Sequence, residues 1–72
     1  MNEINDKPNT QLTERELEIL RIVLDGCSTK ECAEQLSVSV RTISFHLNNA
    51  YRKLHVNNRL KAYHEVKRLG LV

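Results

Sequence analysis

The chain has 72 residues, of which 40% are hydrophobic, 28% charged and 4% aromatic. That is room for one thin-cored domain and excludes a roomy substrate pocket with a supporting shell. The net charge of +2 conceals an imbalance: residues 1–36 carry four basic and eight acidic side chains, residues 37–72 seven basic and one acidic, which points to a polyanion partner for the second half.

Residues 1–11 are polar, hold the single proline (Pro8) and show no apolar period. They read as a flexible arm before a domain over 12–72. The first predicted helix opens at Thr13, which with Glu16 forms a T-x-x-E capping box. Leu12 and Leu17 occupy the staple positions around it. Leu17, Leu20, Val23 and Leu24 then follow at helical spacing as a core face, and Gly26 is the stop.

The second predicted helix repeats the device, with Ser28 and Glu31 as capping box and Cys27 and Cys32 as staple. Ala33 and Leu36 complete a short apolar face before Ser37. The third opens at Ser39, with Val38 and Ile43 as staple. Its stripe of Ile43, Leu47, Ala50 and Leu54 lies at i, i+4, i+7 and i+11. His55 stands where the chain must turn left-handed. The fourth starts near Asn57 or Asn58 and runs to about Leu69, with Gly70 as its stop. Leu60, Tyr63, Val66 and Leu69 mark one face, and Ala62 beside them permits a close helix approach. No segment alternates like a strand, so the expected class is all-α, a four-helix bundle.

Few residues suggest bond-making chemistry. Cys27 and Cys32 are too few for a disulfide framework and lack metal-ligand spacing with His46, His55 and His64. No nucleophile is paired with a base, which argues against an enzyme, a metal site or any cofactor. Nothing approaches the roughly 18 apolar residues of a membrane span. Met1 is followed by Asn2, Glu3, Asn5 and Asp6 rather than a secretory leader. The expected compartment is the cytoplasm.

The second and third helices are joined by Ser37-Val38-Ser39, the spacing of a helix-turn-helix. Ala33 suits the crossing point, and Val38 and Ile43 can fill the space between the helices. That geometry projects a recognition helix, about 40–54, into the DNA major groove. Its polar face has the matching chemistry. Asn48 suits adenine, Arg41 and Arg52 guanine, Ser44 several bases, and Phe45 a thymine methyl. Lys30, Ser39, Thr42, Asn49 and Lys53 suit phosphates, and the N-terminus of the third helix favours an anion.

These residues resemble the LuxR/GerE-type DNA-binding domains. The resemblance is carried by Leu12-Thr13-Glu14-Arg15-Glu16-Leu17-Glu18-Ile19-Leu20, Gly26, Lys30-Glu31, Ala33 and Leu36. It continues through Ser39, Thr42-Ile43, His46-Leu47, Lys53-Leu54, Val56, Asn58-Arg59, Ala62 and Leu69-Gly70-Leu71. It implies a regulator of transcription that binds double-stranded DNA as a homodimer. Lys30, Thr42, His46 and Lys53 would lie on phosphates, and Ser44, Phe45 and Asn48 on bases. Leu60, Tyr63 and Val66, with neighbouring Lys67, would form the dimer contact.

Three departures stand out. Ser44 replaces a frequent Lys or Arg, His55 a usual Gly or Asn, and Cys32 a usual Ile, the last a smaller filler costing about 1 kcal/mol of packing. Ser44-Phe45-His46-Leu47 looks most like the autoinducer-responsive branch. With neither ligand domain nor receiver domain in view, the chain is expected to be a stand-alone effector. The alternative is a small interaction module that heterodimerises with a larger LuxR-type regulator and inhibits it.

Overall fold

A computed structural model describes residues 11–71. Four helices follow one another: α1 (Glu14–Leu24), α2 (Thr29–Leu36), α3 (Val40–Leu54) and α4 (Arg59–Arg68). The described residues contain no strand, and the all-α expectation holds. The arm expected over 1–11 lies, but for Gln11, outside the described residues.

Each helix starts in the same way. Thr13, Ser28, Ser39 and Asn58 accept through their side chains from the N–H three residues on, at 3.0, 3.0, 3.0 and 2.8 Å. The two capping boxes close as the sequence suggests, with Glu16 accepting from Thr13 N–H at 3.0 Å and Glu31 from Ser28 N–H at 2.8 Å. Of the two candidates, Asn58 caps α4.

The helices also stop in one way. Gly26, Ser37, His55 and Gly70 all have positive φ, at 111°, 59°, 60° and 72°. The N–H after each reaches back five residues: Cys27 to Ile22, Val38 to Ala33, Val56 to Tyr51 and Leu71 to Val66. This six-to-one bond is the mark of a Schellman stop, in which the residue after the left-handed one tucks against the helix end. Here those residues are Cys27, Val38, Val56 and Leu71, and all four are at least half-buried. Ser37 as a left-handed stop is absent from the sequence reading, since Ser carries no strong signal for it.

α3 is the central element and packs against all three others. Its stripe of Ile43, Leu47, Ala50 and Leu54 is buried as expected. Ile19, Leu20 and Val23 from α1, Cys32 and Ala33 from α2, and Val66 and Leu71 from the C-terminal region complete the core. Two faces differ from the sequence reading. In α1 the buried positions are Glu16, Ile19, Leu20 and Val23, while Leu17 and Leu24 are half-buried. In α4 the buried positions are Ala62 and Val66, while Leu60 and Tyr63 point outward. In both cases two apolar stripes lie side by side on one helix, and packing chooses between them.

The sequence reading assigns Glu16 only to the cap of α1, yet its side chain is buried. Lys53, from the last turn of α3, donates to both carboxylate oxygens at 2.9 and 3.1 Å and to the Gln11 carbonyl at 3.1 Å. One carboxylate thus closes the start of α1 and ties it to the end of α3. Burial pushes the Glu16 carboxyl up, but the Lys53 hydrogen bond, the Thr13 N–H and the ammonium charge outweigh it and hold the group below its ordinary value of 4.5.

A carboxyl lowered by folding contributes stability that is complete above its unfolded value of 4.5 and fades as the pH falls through the folded one. Glu16→Gln is therefore expected to lose about 1–3 kcal/mol at neutral pH. Urea melts from pH 7 to pH 3 should show the gap to the wild type closing only in acid. A gap independent of pH would refute the ion pair's role. At the other end of α3, His55→Gly removes a side chain from a conformation that costs L-residues about 1–2 kcal/mol. Part of that gain returns as unfolded-chain entropy, so a net rise of up to about 1 kcal/mol is expected in thermal melts.

Candidate nucleic-acid interface

α2 and α3 pack together, and Ala33 and Ile43, 5% and 0% exposed, both lie in the shared core, with half-buried Val38 from the turn packed against it. The turn consists of Ser37, Val38 and Ser39, as the spacing suggests. Ser37 supplies the reversal and Ser39 the cap. The Ser39 hydroxyl accepts from Thr42 N–H and donates to Thr42 Oγ1, both at 3.0 Å. The N-terminus of α3 is left at the surface, with exposed Ser39, Val40 and Arg41 around it.

The buried stripe of α3 determines what its far side shows. Arg41, Phe45, Asn48 and Arg52 repeat the i, i+4, i+7, i+11 spacing two residues earlier, a rotation of about 200°, and all four are exposed. Ser44 is half-buried on the flank, as are Thr42, His46 and Asn49. An Arg52 N–H donates to Asn49 Oδ1. The Phe45 ring stands edge-on to His46, with centroids 5.5 Å apart and planes at 69°. Lys30 on α2 is exposed. Hence the five residues expected to face bases share one side of α3, with four of them along its crest.

Lys53 requires a correction. Its ammonium, on a side chain 31% exposed, is engaged by Glu16 and the Gln11 carbonyl, so its charge is largely paired within the fold rather than free. Neither partner was accessible to sequence reasoning, because Glu16 lies 37 residues away. Val66 requires another. It is 0% exposed and belongs to the core, so it cannot line a contact between folded chains. Leu60, Tyr63 and Lys67 remain on the surface of α4. Leu60 and Tyr63 are 65% and 40% exposed, and Lys67 Nζ lies 5.5 Å from the Tyr63 ring centroid.

The α3 face is suited to entering a groove rather than enclosing a ligand. Two surface grooves border α1, one lined in part by Arg21, Cys27 and Tyr63 and the other by Glu14, Leu17 and Glu18. Neither takes a residue from α3. Among the described residues no group of His, Cys, Asp and Glu is arranged to hold a metal ion. No helix of the described chain is long and apolar enough to cross a membrane.

Residues 10–66 match the protein family described as bacterial regulatory proteins, luxR family. The chain is 38% identical over 68 residues to the spore germination protein GerE of Bacillus subtilis, covering 94% of this chain and 89% of that one. It is 42% identical over 64 residues to the transcriptional activator protein AnoR of Acinetobacter nosocomialis, of which it spans only 27%. It is 40% identical over 58 residues to the transcriptional regulatory protein LiaR of Bacillus subtilis, of which it spans 28%. The solved structure of the transcription factor GerE superposes with a TM-score of 0.77 at 40% identity, over 83% of this chain and 90% of that one. The response regulator ChrA gives 0.82 at 36% identity, over 92% of this chain and 33% of that one. With four capped helices, a helix-turn-helix and these relatives, the chain belongs to the LuxR/GerE family of helix-turn-helix DNA-binding transcription regulators.

Proposed function

We propose that this chain binds a specific double-stranded DNA site, with α3 in the major groove, as a homodimer formed through α4. The exposed stripe of Arg41, Phe45, Asn48 and Arg52 on the side of α3 opposite its core carries this reading. Arg and Asn are the side chains whose paired donors and acceptors match guanine and adenine edges, and Ser44 lies within reach of the same surface. Ser39, Thr42, His46 and Asn49 flank the stripe and Lys30 is exposed on α2; all five suit phosphates, joined by the N-terminal dipole of α3.

The apolar side chains left on the surface of α4, Leu60 and Tyr63 beside Lys67, support the dimer. A two-fold contact through one helix reads a roughly symmetric site.

The test is selection from a random duplex pool, followed by titration of the winner at two salt concentrations. A symmetric winner with steep salt dependence is expected. No enrichment over random duplex would overturn the reading, and a larger LuxR-type regulator would then become the partner to seek. Asn48→Ala should cost about 1–3 kcal/mol at the selected site and relax one base position. Lys30→Ala should weaken all duplexes alike and reduce the salt slope by about one. Lys53→Met should lower stability while leaving that slope unchanged, because its charge is already paired with Glu16. Tyr63→Glu should weaken dimeric binding without unfolding the chain, checked by circular dichroism alongside the titration.

A further inference from the structure

Cys27 and Cys32 stand on either side of the capping box that opens α2. Cys27 precedes the cap residue Ser28, and Cys32 follows Glu31. A closed box brings side chains at these two positions together. Here the box is closed, with Ser28 at φ −74° and ψ 167°. An extended residue leading into a helix in this way sets the two flanking Cα atoms about 6–7 Å apart. Disulfides span Cα separations of about 4.4–6.8 Å, so the pair stands at the wide end of what one bond can join. Both thiols are free.

Their surroundings differ. Cys32 is 0% exposed and belongs to the core. Burial, and after it the charge of Cys27, pushes the Cys32 thiol up. Cys27 is half-buried and lines the surface groove that also takes in Arg21, Gln35 and Lys67. Gln35 Nε2 donates to its sulfur at 3.5 Å, which holds the sulfur at the groove wall. A small oxidant therefore meets Cys27 first. The backbone there also has slack. The bond from Cys27 N–H to the Ile22 carbonyl is 3.4 Å, against 2.9–3.0 Å at the other three helix stops.

We propose that Cys27 and Cys32 form a two-electron redox site, in which hydrogen peroxide oxidises Cys27 and Cys32 closes an intramolecular disulfide across the start of α2. The Cys27 thiolate attacks one peroxide oxygen. The S–O bond forms, the O–O bond breaks, and the leaving hydroxide takes up the thiol proton as water. The Cys32 sulfur then attacks Cys27 Sγ. The S–S bond forms, the S–O bond breaks, and the departing hydroxide leaves with the Cys32 proton as a second water. Two thiols and one peroxide give one disulfide and two waters. A sulfenic acid with a thiol at hand condenses to a disulfide. The new bond ties the end of α1 to α2, behind the helix-turn-helix rather than on its outer face. The site stands independently of the DNA-binding reading.

In the experiment the reduced full chain meets a small excess of hydrogen peroxide, and intact mass and free thiols are followed. The monomeric chain should lose two hydrogens and both thiols together, and dithiothreitol should restore them. Trypsin cuts after Lys30, between the two cysteines, so without reductant the peptides that carry them should stay joined. Cys32→Val keeps the core filled, and in it Cys27 should stop at the sulfenic acid, captured by dimedone. Cys27→Ser should leave the buried Cys32 unmodified. Circular dichroism checks the fold of both variants, and the wild-type peptide map decides alone if either unfolds. A disulfide-linked dimer would overturn the proposal, as would sulfinic acid on Cys27 with Cys32 still free, or an unchanged mass. Oxidation of Cys32 in folded Cys27→Ser as fast as in the wild type would overturn the order of attack.

Discussion

Everything in this domain follows from how α3 is held. A chain of 72 residues has too little apolar surface for two cores, so one helix must sit at the centre and lend a face to each of the others. α3 does this through Ile43, Leu47, Ala50 and Leu54. Once that stripe is fixed, helical geometry leaves no freedom about the opposite side. Arg41, Phe45, Asn48 and Arg52 must point outward together. The surface that would touch DNA is thus fixed by packing on the other side, and a core substitution that rotates α3 would disturb that surface without changing any of its residues.

Holding α3 in place takes more than its stripe. Helices of 8 to 15 residues are marginal on their own, and each frayed end would loosen its neighbours. The repeated use of one start and one stop answers this. A Ser, Thr or Asn side chain satisfies an N–H at the start of every helix. A left-handed residue followed by a tucked side chain satisfies carbonyls at the end. Two of these stops, Ser37 and His55, lack glycine's freedom, so the six-to-one bond and the burial of Val38 and Val56 offset local strain. The Glu16–Lys53 pair adds a tie between helices where the caps act only within them. Glu16 serves both purposes with one carboxylate, which is why burying it is tolerable: each oxygen-facing donor is supplied by the fold.

The helices, their caps, the turn and the α3 stripe were legible because they depend on residues three to five positions apart. So was the outward set on α3, which is the complement of an unambiguous stripe. What escaped depended on distance or on choice. Glu16 and Lys53 are 37 residues apart, and nothing near Lys53 in sequence distinguishes a cation bound to the fold from one offered to a phosphate. α1 has Leu17 and Leu24 beside Ile19, Leu20 and Val23, and α4 has Leu60 and Tyr63 beside Ala62 and Val66. Period alone cannot say which edge of a broad apolar face turns inward. For Val66 the choice decides function, because a core residue cannot also be a contact between chains.

The sequence's positive half is a weaker guide to the DNA face than its net charge suggests. Lys53 is paired with Glu16 and Arg68 with Glu65, Arg59 donates to the Cys27 carbonyl, and Lys67 lies over Tyr63. On α2 and α3 the cations without a carboxylate partner among the described residues are Lys30, Arg41 and Arg52. In the DNA-binding reading, each phosphate neutralised contributes about 0.9 to the salt slope, so attraction to arbitrary duplex scales with the cations that reach phosphates. Asn48 and Phe45 carry no charge, and what they contribute is nearly independent of salt. Rising salt therefore removes the indiscriminate part of binding faster than the discriminating part. In that reading the preference rests on the side chains that meet base edges, Asn48 and Phe45 without charge and Arg41 and Arg52 through their paired donors, while Lys30 adds attraction shared by every duplex.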